Sequence, residues 1–225
     1  MKIEVLDHGY VELIETWGSD ERFVEAARMS TNKGFKGWKT DQKLLNFLYR
    51  NNHATPFEMG GLIIEVKAPI MVFREWHRHR TQSYNEMSGR YIPMPNENYT
   101  PTRDRVIEGS KNKSNKQATG IRELDPLALD QWLTSLNQFY QQAEDIYSEG
   151  LEIGVPKELA RLSVPVARYS RMRASANVRN WLAFLTLRQA PGAQWEIRQY
   201  AHAVGDMIAE HFPRTWALFM EEGSH

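Results

Sequence analysis

The fourteen residues from Arg78 to Tyr91 read Arg-His-Arg-Thr-Gln-Ser-Tyr-Asn-Glu-Met-Ser-Gly-Arg-Tyr. They hold three arginines, a histidine, two serines, two tyrosines, an asparagine and a glutamate, with one glycine that permits a close backbone approach. Such a density of directional polar groups suits a nucleotide better than a core: Arg for phosphate, Ser and backbone amides for oxygens, Glu for a sugar hydroxyl or base edge. A second basic stretch runs from Lys157 to Arg188, where seven cations face the single Glu158 and the net charge is +6. Two solvated basic faces are the plain alternative. Six of the seven cations are Arg, however, whose planar fork grips phosphate or carboxylate with two parallel hydrogen bonds, so a bound anion is the sharper reading. On one helix, Asn177 and Arg188 would project within about 20° of each other and Arg179 to the opposite side. That helix could offer Arg179 to one ligand and Arg188 to another.

The rest of the composition narrows the chemistry. The 225 residues contain no cysteine, which excludes disulfides, thiolate metal sites, iron–sulfur clusters and every Cys nucleophile. Twenty-eight basic residues balance twenty-eight acidic ones, so the whole chain is not steered toward nucleic acid or anionic membrane. At 41% hydrophobic and 25% charged residues it can bury a core. No apolar run approaches a membrane span, and the N-terminus lacks a signal-peptide apolar core, so a cytoplasmic protein is expected. His202 and His211 are too isolated to argue a metal site.

The elements that must carry these residues follow from periodicity. Residues 21–29 and 41–50 have helical apolar spacing, with Asp41 placed to favour a helix start. Residues 62–68 alternate as a half-exposed strand, and Pro69 then opens a helix reading IMVFREWHRHR. Residues 93–120, with three prolines and a polar run, read as a long mobile loop. A helical stripe follows from Leu129 through Trp132, Leu136, Phe139, Ala143 and Ile146 to Tyr147, ending near Gly150. Pro156 opens a short helix through Leu162, residues 166–175 alternate as a strand, and Asn177 can cap the next helix. From Trp181 to Met220 the chain reads as helix broken at Pro191-Gly192 and Pro213. The expected fold is α+β: one domain over residues 1–225, mostly helical, with a small, mainly antiparallel sheet. Gly223-Ser224-His225 resemble the scar of a tag and carry no weight.

The Arg78–Tyr91 cluster resembles the signature of the flavin-dependent thymidylate synthases, Arg-His-Arg-x-x-Ser-x-Asn-Glu-x-Ser-x-Arg-Tyr. All nine fixed positions match: Arg78, His79, Arg80, Ser83, Asn85, Glu86, Ser88, Arg90 and Tyr91. Four further blocks are similar to that family's: Ala27-Arg28-Met29-Ser30, His53-Ala54-Thr55-Pro56-Phe57-Glu58, Pro156 to Arg161, and Asn177 to Arg188. The resemblance implies a homotetramer with active sites shared between subunits, each holding FAD. It implies methylation of dUMP to dTMP with methylenetetrahydrofolate as carbon donor and NADPH as reductant. It places Ser30, Thr55, Glu58, Arg78, His79, Arg80, Glu86, Asn177 and Arg179 at the cofactor. It places Glu75, Arg78, Glu86, Ser88, Gly89, Arg90, Arg161 and Arg188 at dUMP. Within that set Arg90 and Arg161 are the phosphate grips. Arg188 is the catalytic residue, stabilising the anion at uracil N3. The chain departs from the family at Glu75, where many members have Gln, and at Ala183, where an amide is often present.

Other readings stay beside this one. A related flavoenzyme could act on another pyrimidine nucleotide, or the 157–188 face could bind nucleic acid, although base-stacking aromatics are hardly interleaved with its arginines. His53 and His79 could be structural, and Ser88 reads as a hydrogen-bonding residue because no His–Asp relay accompanies it. Glu158 reads as an ion-pair partner that positions Arg161. Trp132, Trp181, Trp195 and Trp216 read as core residues.

Overall fold

The structure, a computed structural model, describes residues 1–111 and 124–222. The chain opens with an antiparallel hairpin, β1 (Lys2–Val5) and β2 (Gly9–Trp17), which the hydrophobic pattern does not announce. A register shift between Leu13 and Glu15 leaves Ile14 outside the ladder, and this bulge breaks the alternation that would mark the strand. Then come α1 (Asp20–Arg28), α2 (Trp38–Arg50), a 3₁₀ turn at Thr55–Glu58, β3 (Gly61–Pro69), α3 (Ile70–Trp76) and β4 (Ser83–Glu86). After these stand α4 (Arg103–Lys111), α5 (Pro126–Glu152), the short α6 (Lys157–Ala160), β5 (Tyr169–Asn177), α7 (Val178–Arg188), α8 (Trp195–His211) and α9 (Pro213–Glu222). The five strands form one antiparallel sheet in the order β1-β2-β3-β5-β4. A helix-rich α+β fold with a small antiparallel sheet is therefore what forms.

Period-two alternation sets the two faces of this sheet. Leu62, Ile64, Val66 and Ala68 of β3, with Met172, Ala174 and Ala176 of β5, are buried in the main core with α7 and α8. Glu65, Lys67, Arg171 and Arg173 lie on the opposite, polar face. The core between sheet and helices is aromatic: Trp76 stacks on Phe184 at a centroid distance of 4.6 Å, and Trp181 meets Phe184 edge-on.

Three expectations from the sequence are corrected. Within 93–120 a helix stands at Arg103–Lys111, held by Arg105 donating to the buried Glu196 at 2.8 Å and by an ion pair from Arg103 to Asp130 of α5. Composition hid this, because the contacts that order the segment come from remote elements; residues 112–120 and the terminal Gly223-Ser224-His225 lie outside the described residues. Next, α2 begins at Trp38, three residues before the expected start; Asp41 does stand in its first turn, and is besides a buried ion-pair partner of Arg28 that accepts from the Lys36 amide. Last, α3 stops at Trp76, short of the Arg78-His79-Arg80 run. The Tyr84 hydroxyl donates to the His79 carbonyl at 2.6 Å with the Trp76 carbonyl at 3.2 Å, and the Trp76 indole donates to Gln82 Oε1 at 3.0 Å, so the chain turns into β4.

One ion pair fixes α5 to the sheet. Arg168, fully buried just before β5, lies 2.7 Å from Glu144 and donates to the Pro95 carbonyl at 2.8 Å. Removing one member leaves the other charge buried without a counterion, so Arg168→Met or Glu144→Leu alone should cost ~3–5 kcal/mol in urea unfolding. The double replacement should recover most of that loss, and a double variant that loses the sum of the two single losses would show that the pair does not act as a unit.

Candidate active site

Residues 75–91 lead from the end of α3 through a turn into edge strand β4, and this path distributes the signature side chains. The turn is tied down by Asn180 Nδ2 donating to the Thr81 carbonyl at 3.1 Å. Strand β4 pairs with β5 at Ser83–Ser175, Tyr84–Ala174, Asn85–Arg173 and Glu86–Met172. It escapes recognition from sequence because a four-residue polar edge strand shows no apolar alternation.

The first group sits where α3 meets the C-terminal end of α7. Arg188 Nε donates to His79 Nε2 at 2.8 Å, one terminal nitrogen donates to Glu75 Oε2 at 2.6 Å, and the other donates to the Glu75 carbonyl at 2.8 Å. A guanidinium carries five N–H groups, so two remain for a ligand while three hold the side chain. His79 is buried against the Phe184 ring at 4.9 Å. Because Arg188 donates to Nε2, the neutral ring carries its proton on Nδ1. Burial first, and then the Arg188 charge, lower its pKa to about 4, with Glu75 pulling weakly the other way.

The second group lies around the Thr55–Glu58 turn and the start of α7. Asn177 caps α7 by accepting from the Asn180 amide at 3.0 Å, and Arg179 forms an ion pair with Glu58 at 2.5 Å. Val178 N donates to the Gly60 carbonyl at 2.8 Å, which locks turn and helix together. Gly61 makes this approach feasible, since a Cβ there would stand 2.3 Å from the Ala176 carbonyl and 2.4 Å from the Trp17 ring. Thr55 is exposed on the same turn, and Arg78 and Arg80 project into solvent with no ion-pair partner among the described residues. Ser30 bonds only the Ala27 carbonyl of its own turn, at 3.0 Å, and the structure does not tie it to the other members.

The third group surrounds a cavity of about 240 Å³ whose lining includes Arg74, His77, Glu86, Gly89, Met94 and Arg161. Gly89 is buried against the cavity wall, and a Cβ on it would meet Met94 at 3.1 Å and the Arg161 stem at 3.5 Å. Ser88 Oγ accepts from the Arg90 amide at 3.3 Å and so shapes the turn after β4. Arg90 pairs with Glu158 at 3.1 Å, whereas Arg161 has no carboxylate partner among the described residues. The expectation that Glu158 positions Arg161 is thus corrected: Glu158 occupies the first turn of α6, and the signature turn brings Arg90 to it.

The basic stretch 157–188 resolves along the same lines. Arg168 is a buried structural cation, Arg173 pairs with Glu65 at 3.0 Å, and Arg179 and Arg188 meet Glu58 and Glu75. Four of the six arginines in this stretch therefore rest against carboxylates. Arg74 and His77 belong to the basic run that the sequence shows from Arg74 to Arg90, and the structure sets both on the cavity; Met94 and Asn180 escape sequence reasoning, Asn180 with the N3 position after an Asn cap as its available signal and Met94 with none. His53 is exposed beside the Phe47 ring. Trp181 is core as expected, but Trp132 is 49% exposed. Among the described residues no cluster of His, Cys, Asp and Glu could hold a metal ion, and no helix is long and apolar enough to cross a membrane.

Comparison with known proteins gives a consistent picture. The family described as thymidylate synthase complementing protein matches residues 12–214. The chain is 42% identical to the flavin-dependent thymidylate synthase of Thermus thermophilus over 98% of its own length and 79% of the relative's. It is 39% identical to that of Thermotoga neapolitana, over 98% and 95%. Among solved structures, a UMP/dUMP methylase from Streptomyces cacaoi bound with 5-Br dUMP superposes with a TM-score of 0.85 at 31% identity, covering 97% of each chain.

His79 titration should show the geometry in solution. Its ring, followed by NMR, should titrate near pH 4, far below the usual 6.5. Below pH 6.5 the unfolded chain takes up this proton while the folded one does not. Stability should therefore fall as pH drops from 6.5 toward 4, by at most ~3 kcal/mol from this group. A midpoint near 6.5 would mean that Arg188 does not hold the ring.

Proposed function

The chain belongs to the thymidylate synthase complementing protein family, and from that premise we propose that it is a flavin-dependent thymidylate synthase: it methylates dUMP to dTMP with methylenetetrahydrofolate as carbon donor and NADPH as reductant. The observation that carries this reading is the sorting of the arginines. Arg78, Arg80 and Arg161 are free of carboxylate partners among the described residues, while Arg188 is clamped by Glu75 and His79 with two N–H groups to spare. Anionic ligands fit the first set and a developing anion fits the second.

The residues around the Thr55–Glu58 turn suit FAD. Arg78, Arg80 and Arg179 beside the capped start of α7 would meet its phosphates, with Thr55, Glu58 and Asn177 as further polar contacts. His79 and Glu86 are assigned to the same cofactor, and Ser30 is kept in the set on family resemblance alone. When bound, FAD supplies hydride chemistry that amino-acid side chains lack. With no cysteine in the chain, thiolate attack on the uracil ring is closed to it.

For dUMP we assign Arg161 and Arg90 to the phosphate, with Arg90 released from Glu158 when the ligand enters. Glu86 and Gly89 line the same cavity, and Ser88 stands between Met87 and Gly89 of that lining and is assigned to the nucleotide with them. Arg188 stabilises negative charge at N3 of the uracil and so raises electron density at C5, while Arg78 stands between nucleotide and cofactor. Glu75 orients Arg188 rather than touching phosphate, which accounts for a carboxylate where many relatives carry an amide. Among the described residues no hydrogen bond or ion pair joins the Arg188 group to the Arg161 group. This separation supports active sites shared between subunits, and we place the protein as a homotetramer in the cytoplasm. The Streptomyces cacaoi methylase named for both UMP and dUMP favours a second reading, in which the pocket accepts a ribonucleotide as well.

The purified protein should show a flavin spectrum that dUMP perturbs, and a colourless protein that FAD cannot reconstitute would end the proposal. Arg188→Ala should keep flavin while losing on the order of 10²–10³ in methylation rate. Arg78→Ala and Arg179→Ala should each weaken FAD by about tenfold or more, since a charge-assisted hydrogen bond contributes ~1.5–3 kcal/mol. Turnover of UMP at the dUMP rate would establish the second reading.

A further inference from the structure

A cavity of about 780 Å³ lies between α5 and the start of α8, and α4 lines it on a third side. None of its lining residues belongs to the cofactor or nucleotide sets, and none lines the cavity at Arg161. Its volume falls in the range of roughly 300–1,000 Å³ that small-molecule sites occupy.

The walls combine flat rings with one unpaired cation. Tyr99, Tyr140 and Trp195 supply aromatic surface, and the Tyr140 hydroxyl fixes two of these rings together by donating to the Tyr99 carbonyl at 2.9 Å. Glu196 is fully engaged. Arg105 donates to its two oxygens at 2.8 and 3.3 Å, while the Tyr99 hydroxyl and Gln194 Nε2 add bonds at 3.1 and 3.0 Å. Arg198, two residues further along α8, differs. It lines the cavity, its side chain has no hydrogen bond or ion pair among the described residues, and its Nε is buried. A buried donor without an acceptor is costly, so a ligand that supplies the acceptor is favoured.

Shape and charge select that ligand. The planar guanidinium fork matches a carboxylate with two parallel hydrogen bonds. Glu108 also lines the cavity, so two carboxylates and two guanidiniums make it close to neutral overall. Arg198 then accommodates a single negative charge, whereas a phosphate dianion is opposed by Glu108 and Glu196. Rigid rings along the wall favour a flat, apolar body on the anion. We propose that this cavity is a second small-molecule site, which binds an aromatic carboxylate with its ring against Tyr99, Tyr140 and Trp195 and its carboxylate on Arg198. The site stands whether or not the chain holds flavin.

Calorimetric titration of the full-length protein with naphthoate, in excess FAD and dUMP, tests the assignment. Naphthoate should bind once per chain with a Kd on the order of 0.1 mM, the range for a ligand of its size. Its neutral amide, naphthamide, should bind about tenfold more weakly, because it cannot pair with the guanidinium. Arg198→Leu should weaken naphthoate by about tenfold or more and leave naphthamide unchanged. Val166→Trp, at a wall position that is 61% exposed and tolerant of a larger side chain, should weaken both probes by filling the cavity. If Arg198→Leu fails to fold, the Val166→Trp result decides. No binding of naphthoate to the wild-type protein would overturn the site. So would binding that neither variant changes, and equal affinity for acid and amide would overturn the role of Arg198.

Discussion

The stacking of Trp76 on Phe184 is the contact on which the arrangement of reactive groups depends. Trp76 closes α3 directly after Glu75 and three residues before His79, and Phe184 lies one turn before Arg188 on α7. Packing these rings therefore brings a carboxylate, an imidazole and a guanidinium together before any of them interacts. Burial of large aromatic side chains contributes several kcal/mol, more than a part-exposed ion pair returns. The core thus sets the position of Arg188, and its polar partners set its orientation and the protonation of His79.

A fold dense in arginine must separate the cations that hold it together from those that bind ligands. Arg168 is fully buried and links the entry of β5 to α5 through Glu144, so it belongs to the architecture. Arg173 balances Glu65 on the open face of the sheet. Arg90 and Arg179 each rest against a glutamate at the margin of the candidate site, where an anionic ligand can compete with that carboxylate, whereas Arg188 keeps Glu75 as the partner that orients it. Such exposed or half-exposed pairs are weak, so trading them for a ligand costs little and keeps each guanidinium in place until the ligand arrives.

Helix α5 has two apolar rows with different surroundings. The row at Leu129, Ala143 and Tyr147 attaches the helix to the sheet, and the adjoining row at Trp132, Phe139 and Ile146 faces outward. From sequence the two merge into one broad stripe, because residues three and four apart on a helix are neighbours whichever element they face. Only the placement of α5 against the body of the protein divides them.

By itself the sequence determined the chemistry available: nucleotide-binding residue types in one fourteen-residue cluster, no thiol, and arginine in preference to lysine. It also determined the strong elements, such as β3 and α7, because their periodicity and caps are local properties. It did not reveal β4, the bulged β1–β2 hairpin or α4, since an edge strand, a bulge and a helix held by remote ion pairs are stabilised by partners distant in the chain. Which arginine meets which carboxylate was decided only by tertiary structure. Glu158 is three residues from Arg161 yet binds Arg90, 68 residues away, because the path from α3 through β4 delivers Arg90 to the start of α6. Residue type specifies what a side chain can do, and the packed core decides what it can reach.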